Sequence, residues 1–333
     1  MTIPIIADDA ALDYAAALLR EGRLVAFPTE TVYGLGADAS NAEAVARIFA
    51  AKGRPADHPL IVHIADAGCL ADWAETVPDT ARRLAERFWP GPLAIILKKK
   101  PDVPDAVTGG QPTVGLRVPS HPVALRLLRK FGGGIAAPSA NRFCRISPTT
   151  ARHVEEELGD SVDLILDGGP CEVGVESTII DLSGTQPRLL RPGRFTRAQI
   201  EEVLGVQLAV AAKTEALDIR APGLMAVHYA PSTQALLCDP NDLEQLAGQL
   251  VAQGQLIGLI AYQAFPRSEQ RMPVIQMPRD PHDYAQALYA ALRELDNLQL
   301  DRILVEQPPE SDAWHAVNDR LRKATVPAAA VLL

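Results

Sequence analysis

Apolar and polar positions follow two periods along the chain, one helical and one extended. Asp9 to Arg20 has the helical period and is followed by Gly22, whereas Leu24 to Phe27 is a short apolar run that Pro28 ends. Gly and Pro are the residues that most often end helices and strands. The pattern therefore predicts a helix followed by a buried strand at the start of the chain.

The same alternation continues to about residue 210. The motif SxxE at 40–43 fits a capping box for a helix over Ala42 to Ala51, Leu60 to Ile64 is the next apolar strand, and TxxQ at 196–199 fits a second capping box. Further strands are predicted at Leu93 to Leu97, Val114 to Val118, Ile135 to Ala137, Val162 to Leu166, Thr178 to Leu182 and Arg188 to Leu190, with helices near 79–88, 121–131, 149–158 and 197–204. This alternation predicts one mixed α/β domain over residues 1–210.

Regular patterning is lost between about residues 211 and 231 and then returns. An irregular stretch of this length is typical of a linker or of a lid over an active site. Beyond it, strands are predicted at Ala235 to Cys238, Ile257 to Tyr262, Val274 to Met277 and Ile303 to Glu306, with helices over 241–253, 282–296 and 313–324. Because βαβ units form parallel sheets, we expect a second, smaller, Rossmann-like α/β domain over residues 232–333.

Composition and charge exclude several classes of protein. The 333 residues are 47% hydrophobic and 22% charged, with a formal net charge of −9, which disfavours non-specific nucleic-acid binding through phosphates. The sequence starts without signal-peptide features and has no apolar run long enough for a membrane span, so we expect a cytoplasmic protein. The cysteines and histidines lack the spacings of zinc ligands, so no protein-held metal site is predicted.

Polar motifs interrupt the predicted strands and are candidates for ligand binding. The first is PTETVYGLG at 28–36, which we expect to connect a strand to a helix and which offers hydroxyls, a carboxylate and two glycines. A simple tight turn would also explain it. Its similarity to the dinucleotide fingerprint is weak, because a polar segment separates the strand from the glycines.

The second candidate is KGRPADHPL at 52–60, where two cations and a histidine lie in a proline-rich loop suited to a polyphosphate. Lys52 alone would be ordinary at a helix C-terminus, where a cation complements the helix dipole. Arg54, between Gly and Pro, needs a further reason. His63 follows on an apolar strand, where a lone histidine is more often a core residue than a ligand contact.

A buried charge and a helix start supply the remaining candidates. Arg117 lies in an apolar strand, so it must pair with a protein carboxylate or with an anionic ligand. APSAN at 137–141 and SPT at 147–149 predict a strand, a polar loop and a helix start capped by the serine, which can also bind phosphate. GVEST at 174–178 and RPG at 191–193 add hydroxyls and an arginine. Together these motifs predict an anion-binding α/β enzyme without a Walker loop, a kinase signature or a nucleophile elbow.

Taken in order, these six motifs closely resemble the Sua5/YrdC family of threonylcarbamoyl-adenylate synthases. Their order and spacing match the family, and the segments APG at 221–223 and HYAP at 228–231 resemble the interdomain linker of its longer Sua5 branch. The resemblance covers essentially the whole chain, although less specifically in the C-terminal domain. It implies a YrdC-like catalytic domain with a twisted mixed sheet, a linker that folds over the nucleotide, and a Sua5 C-terminal domain.

The resemblance also implies a reaction, that of a nucleotidyltransferase. L-threonine and bicarbonate form a carbamate, whose oxygen attacks the α-phosphate of ATP to give threonylcarbamoyl-AMP and pyrophosphate. Because the carbamate is already an anion, positioning and charge stabilisation should supply most of the catalysis. The product would pass to a tRNA threonylcarbamoyl transferase complex that installs threonylcarbamoyladenosine, and direct tRNA binding is left open.

The resemblance assigns residues to two pockets. The threonine pocket would comprise Thr31, His63, Arg117, Ala137 and Ser177, with Arg117 on the threonine carboxylate. The ATP site would comprise Lys52, Arg54, His58, Thr113, Ser139, Asn141, Ser147, Arg191, His228 and Tyr229. Lys52 and Arg54 would be the catalytic cations, offsetting charge on the leaving pyrophosphate. Mg²⁺ would be held mainly by phosphates.

Two departures from the family and two alternative functions complete the interpretation. Cys144 stands where many members have glycine, and the linker GLMAVH at 223–228 lacks basic residues that some relatives carry. An RNA-binding YrdC-like protein is one alternative, which the net charge of −9 disfavours. A carbamoyl-transfer enzyme of another pathway is the other, which the Sua5-like linker and C-terminal extension disfavour.

Overall fold

The structure is a computed structural model that describes residues 2–209, 220–223, 228–264 and 272–330. Much of the predicted linker, residues 210–219 and 224–227, lies outside these ranges. Contacts divide the chain into two compact units. Unit 1 consists of residues 1–143, 147–172 and 176–224, and unit 2 of residues 144–146, 173–175 and 225–333. Two short segments from the first half of the sequence thus belong to unit 2.

Unit 1 is built on a mixed sheet, as predicted. Its strands are β1 Ile5–Ile6, β2 Val25–Phe27, β3 Gly34–Asp38, β4 Ile61–His63, β5 Leu93–Lys98, β6 Thr113–Arg117, β7 Ile135–Ala136, β8 Leu164–Asp167, β9 Thr178–Asp181 and β10 Arg188–Arg191. Its helices are α1 Asp9–Arg20, α2 Ala42–Lys52, α3 Leu70–Trp73, α4 Asp79–Phe88, α5 Asp105–Thr108, α6 Pro122–Phe131, α7 Ala151–Leu158 and α8 Arg197–Leu204. In the described part of the chain the ten strands lie in the order β1-β8-β2-β3-β7-β4-β6-β5-β9-β10.

The two faces of this sheet are covered differently, because successive side chains of a strand point to opposite faces. On one face, residues such as Val62 and Ile95 form the main core with α2, α4, α7 and α8. On the other face, α1 and α6 cover β8, β2, β3 and β7. The remaining apolar residues of that face, including Ile61 and Ile96, pack with Ala221 instead of with a helix. The candidate residues of β4 and β6 lie on this second face.

Three local predictions were wrong. The cap of α2 is Asn41 rather than Ser40, because the Asn41 side chain accepts from the amides of Glu43 and Ala44 at 3.0 and 3.1 Å. The segment 28–36 does not lead into a helix, since its last residues form β3, which pairs antiparallel with β2. Helix α7 begins at Ala151 and is capped by Thr150, not by Ser147. The capping box at 196–199 is confirmed.

Unit 2 contains the parallel sheet that the sequence predicts. Its strands are β11 Ala235–Cys238, β12 Ile257–Ala261, β13 Val274–Gln276, β14 Arg302–Glu306 and β15 Val326–Pro327, and its helices are α9 Leu243–Ala252, α10 Pro281–Asp296 and α11 His315–Ala324. Among the described residues, the five strands lie in the order β13-β12-β14-β11-β15 and all their pairings are parallel. Asp280 caps α10 and Pro281 occupies its first position, a favourable start for a helix.

Candidate active site

A buried ion pair lies at the end of β6. The Nη2 atom of Arg117 is 2.7 Å from Oε1 of Glu30, and the two side chains are only 5% and 4% exposed. The other oxygen of Glu30 accepts from the amide of Ser120 at 3.1 Å. The sequence analysis left open whether Arg117 pairs with a protein carboxylate or a ligand, and the protein supplies a carboxylate. Glu30 was not assigned a role, although an acid within the polar segment 28–36 was the available signal.

The hydroxyl of Thr31 is oriented from two sides. Arg117 donates from Nη1 to Thr31 Oγ1 at 3.0 Å, and the hydroxyls of Thr29 and Thr31 are 2.8 Å apart. Thr29 in turn donates to the carbonyl of Val32 at 2.7 Å and accepts from the amide of Thr31 at 3.2 Å. Side-chain to backbone bonds of this kind stabilise turns. The turn after β2 therefore holds both threonines in a defined arrangement beside the ion pair.

His63 lies next to Arg117 on the neighbouring strand. The two residues are paired in the parallel register of β4 and β6, and His63 is 3% exposed. Burial, and then the positive charge of Arg117, lower the pKa of His63 to about 3, so the ring is neutral at pH 7. Among the described residues, neither Nδ1 of His63 nor Nε of Arg117 has a hydrogen-bond partner. Buried polar atoms without a partner are uncommon and often mark a ligand position.

Backbone hydrogen bonds bring the segments 28–36 and 137–148 together. The amide of Leu35 donates to the carbonyl of Pro138 at 2.8 Å, and the amide of Ala140 donates to the carbonyl of Tyr33 at the same distance. Ala137 is buried and its amide donates to the carbonyl of Ile61 at 3.0 Å. Two motifs separated by about a hundred residues in sequence are therefore neighbours.

The motif at 52–60 lies against the loop that follows residue 137. The ammonium group of Lys52 contacts the carbonyl oxygens of Ser139 and Asn141, each at 2.5 Å, and the amide of Phe143 donates to the carbonyl of Lys52. The ring of His58 meets that of Phe143 edge to face, with centroids 5.4 Å apart. Lys52 thus holds the loop 139–143 in place, a role that the sequence analysis did not predict.

Arg54 and His58 share the same loop. Arg54 is 8% exposed and donates to the carbonyl of Pro59 at 3.0 Å. Partial burial, and then the charge of Arg54, lower the pKa of His58 below its ordinary value. Both effects favour a neutral imidazole beside a permanent cation.

Ser147, Ser177 and Arg191 are held by short polar contacts. Ser147 is fully buried and donates to Oε1 of Glu176 at 2.5 Å. Arg191 donates to the carbonyl and the hydroxyl oxygen of Ser177 at 3.0 and 3.1 Å, and also to the carbonyl of Pro222 at 3.1 Å. The serines and the arginine predicted from the motifs therefore form connected pairs. Glu176 is the member of this group to which the sequence analysis gave no role.

Thr113 lies away from the ion pair. It begins β6, whereas Arg117 ends it, which places the two about 13 Å apart on the same face of the strand. Thr113 pairs with Lys98 of β5, and a cavity of about 570 Å³ lined in part by Lys98, Gln111 and Thr113 lies at this end. The structure therefore does not bring Thr113 together with the residues around Arg117.

His228 and Tyr229 belong to unit 2. Both are buried, at 8% and 1% exposure, and Tyr229 has a left-handed backbone with φ of 62°. The ring of Tyr229 lies 5.8 Å from that of Tyr289, and the guanidinium of Arg320 lies 5.4 Å above it. Within unit 2, Tyr229 is thus a packed residue.

Two searches of the described residues returned nothing. No group of three or more His, Cys, Asp or Glu residues in those ranges is arranged to hold a metal ion. Within the same ranges, every helix is too short or too polar to cross a membrane.

Fold and site together define a class of protein, an α/β enzyme whose mixed sheet presents buried cations and hydroxyls on the face that helices leave partly uncovered. Comparison with known families gives a more specific result. Residues 17–193 match the Sua5/YciO/YrdC family, described as "Telomere recombination", and residues 195–326 match the family described as "Threonylcarbamoyl-AMP synthase, C-terminal domain". The chain belongs to the Sua5 family.

Similar proteins cover nearly the whole chain. It is 44% identical over 319 residues to a threonylcarbamoyl-AMP synthase of Pyrococcus abyssi, with 93% of each chain covered. It is 41% identical over 330 residues to the Bacillus subtilis threonylcarbamoyl-AMP synthase, with 97% of this chain and 95% of the relative covered. Among solved structures, that of P. abyssi Sua5 complexed with L-threonine has a TM-score of 0.88 and 42% identity, with 94% of each chain covered.

Proposed function

We propose that this chain synthesises threonylcarbamoyl-AMP from L-threonine, bicarbonate and ATP. The observation that carries the proposal is its similarity, at 41–44% identity over more than nine-tenths of the chain, to enzymes of that name. The similar structure that is complexed with L-threonine supports L-threonine as a substrate. The buried cluster around Arg117 supplies chemistry suited to it.

The threonine pocket is assigned to the region around Arg117. The free Nε atom of Arg117 can donate to the threonine carboxylate, because Glu30 and Thr31 already engage the two other nitrogens. Charge-assisted bonds from Arg to a carboxylate are among the strongest in proteins. The neutral ring of His63 can accept or donate a hydrogen bond at its free Nδ1. Ala137 and Ser177 complete the proposed pocket.

The reaction needs little proton transfer by the protein. The threonine amine adds to bicarbonate and water leaves, giving a carbamate anion. A carbamate oxygen then bonds to the α-phosphorus of ATP, while the bond to the bridging oxygen breaks and pyrophosphate departs with the electron pair. Arg54, together with Lys52, would offset the charge on pyrophosphate. Positioning and charge stabilisation of this kind are the main contributions of enzymes to phosphoryl and nucleotidyl transfer.

The remaining ATP contacts follow the same motifs. They are proposed at His58, Thr113, Ser139, Asn141, Ser147, Arg191, His228 and Tyr229, with the last two closing over the nucleotide. The proposed ATP residues offer cations, hydroxyls and carbonyls rather than grouped carboxylates, so a Mg²⁺ ion would take its ligands mainly from phosphates and water. Such an ion would neutralise phosphate charge. Transfer of the product to a tRNA threonylcarbamoyl transferase complex and a cytoplasmic location remain predictions.

The test is pyrophosphate release from Mg-ATP and bicarbonate, measured with L-threonine, with L-serine and without amino acid, followed by mass analysis of the product. Release that depends on threonine, with the mass of threonylcarbamoyl-AMP, is the expected result. Activity with carbamoyl phosphate in place of bicarbonate would instead indicate a carbamoyl transferase. RNA affinity that falls steeply with salt, without pyrophosphate release, would indicate an RNA-binding protein.

A conservative pair of variants tests the threonine pocket. Lysine cannot reproduce the forked donors of arginine, so Arg117→Lys should raise the KM for threonine at least about tenfold, whereas the KM for ATP should change less. Arg126→Lys is the matched control, because Arg126 makes an ion pair with Asp9 at the surface. Equal effects of the two substitutions on the KM for threonine would contradict the assignment.

A further inference from the structure

Helix α10 of unit 2 lies against a segment from the first half of the chain at Gly174. A Cβ atom added to Gly174 would lie 2.4 Å from the Cα of Gln286 and 2.6 Å from the carbonyl oxygen of Ala285. The backbone of Gly174 also has a left-handed conformation, with φ of 75°. The absence of a side chain therefore allows the loop backbone to lie directly on the backbone of the helix.

The other end of α10 holds a second segment. Arg293 donates to the carbonyl of Ile146, and Arg145 makes an ion pair of 3.0 Å with Asp296. The Asp296 side chain is 9% exposed and also accepts from the amides of Ser232 and Thr233 at 3.0 and 2.7 Å. Seven residues separate Gln286 from Arg293, so the two contact regions lie about 10 Å apart along the helix.

The segment 144–146 is further defined by its backbone. Cys144 has φ of 62°, a left-handed conformation that side chains other than Gly disfavour. Its carbonyl accepts from the amide of Ala230 at 3.0 Å. Strained conformations persist where the surroundings determine them, so the contacts around Cys144 fix the path of this segment.

Both segments lead directly into candidate site residues. Ile146 precedes Ser147, and Gly174 lies two residues before Glu176. The hydroxyl of Ser147 donates to Glu176 at 2.5 Å, which joins the two loops a second time. The loop after Ile146 carries a proposed ATP contact, and Ser177, next to Glu176, is a proposed threonine contact.

We propose that α10 is a positioning element of the active site, which sets the spacing between the loop that binds ATP and the loop that binds threonine. Gly174, Arg293 and Asp296 are the positioning residues, and they act through Ser147 and Ser177. This inference rests on the proposed function. It gives the C-terminal unit a role in the reaction, because a helix holds its two contact regions at a constant distance.

The first test is Gly174→Ala. A Cβ at 2.4 Å must move away by about 1 Å to reach ordinary carbon–carbon contact, and a displacement of about 1 Å in an active site can cost on the order of 100-fold in rate. We expect kcat/KM to fall by about that factor, with the KM raised for ATP and for threonine. Gly254→Ala is the matched control in the same unit, since Gly254 has φ of 79° and no atom within 4 Å of its added Cβ.

The second test is Asp296→Ala, with Asp301→Ala as control. Asp301 also accepts from a backbone amide, that of Leu256 at 2.8 Å, but contacts neither loop. In the absence of substrates, hydrogen exchange of residues 144–147 should become faster in Asp296→Ala than in the wild type or the control. The KM for ATP should rise at least about tenfold, as expected when a misplaced loop binds ATP poorly.

The outcomes separate this inference from the proposed function. A wild-type protein that makes no threonylcarbamoyl-AMP would overturn the proposed function, whereas hydrogen exchange would still report whether α10 orders the loops. A folded Gly174→Ala variant with wild-type kcat/KM would overturn the positioning role. If that variant does not fold, unchanged hydrogen exchange and unchanged KM in Asp296→Ala would overturn it instead.

Discussion

The buried ion pair between Glu30 and Arg117 should be strongly coupled. Glu30→Ala leaves a guanidinium in a site where only about one-twentieth of the side chain is exposed, and removing one partner of a buried pair costs about 3–5 kcal/mol. Coulomb's law gives a similar value, about 4 kcal/mol for charges near 4 Å at an effective dielectric constant of about 20. Removing both charges in Glu30→Ala/Arg117→Ala leaves no unpaired charge. We therefore expect the double variant to lose at least about 2 kcal/mol less than the sum of the single variants.

The assay is urea unfolding of the full chain in a Trp314→Phe background. Trp314 lies in unit 2, so the remaining fluorescence comes from Trp73 and Trp89 of unit 1. The same cycle on the exposed pair Asp9 and Arg126 is the control, and it should show no measurable coupling because solvent screens the charges. Additive losses for Glu30 and Arg117 would refute the argument that each charge depends on the other for its burial.

Three further predictions concern stability. The pKa of His63 is lowered from 6.5 to about 3, so the unfolded chain binds a proton that the folded chain does not; the free energy of unfolding should fall as pH decreases through this window, and His63→Gln should reduce the slope in urea titrations at several pH values, an unchanged slope contradicting the assignment. Thr196→Ala should cost about 1 kcal/mol in the same assay by removing the cap of α8, and a neutral result would contradict the capping box. Gly36→Ala should cost about 1–3 kcal/mol, because its Cβ would lie 2.7 Å from the ring of Phe27, whereas Gly184→Ala, in open space, should cost less.

Most of the elements could be predicted from periodicity, because burial on one face leaves a repeat in the sequence. The five-stranded parallel sheet of unit 2 follows from its βαβ order. The failures concern positions where neighbouring residues offer the same local chemistry. Ser40 and Asn41 can both cap a helix, and the chain path decided for Asn41. Residues 34–38 contain two glycines, and only pairing with β2 makes them a strand.

The candidate site was predictable as a set of motifs and less so as a set of contacts. The motifs named Arg117, Ser147 and Lys52 correctly as polar residues that need partners. They did not identify the partners, which are Glu30, Glu176 and backbone carbonyls. A partner can come from anywhere in the chain, so spacing along the sequence carries little information about it.

The sequence by itself determined the order of strands and helices, the division into two α/β regions and the family motifs, because these depend on residues close together in the chain. Tertiary structure decided which residue neutralises Arg117, that the pKa of His63 is lowered, and that α10 contacts residues near both 146 and 174. Each of these depends on burial and on distances between segments far apart in sequence. Such distances exist only once the chain has folded.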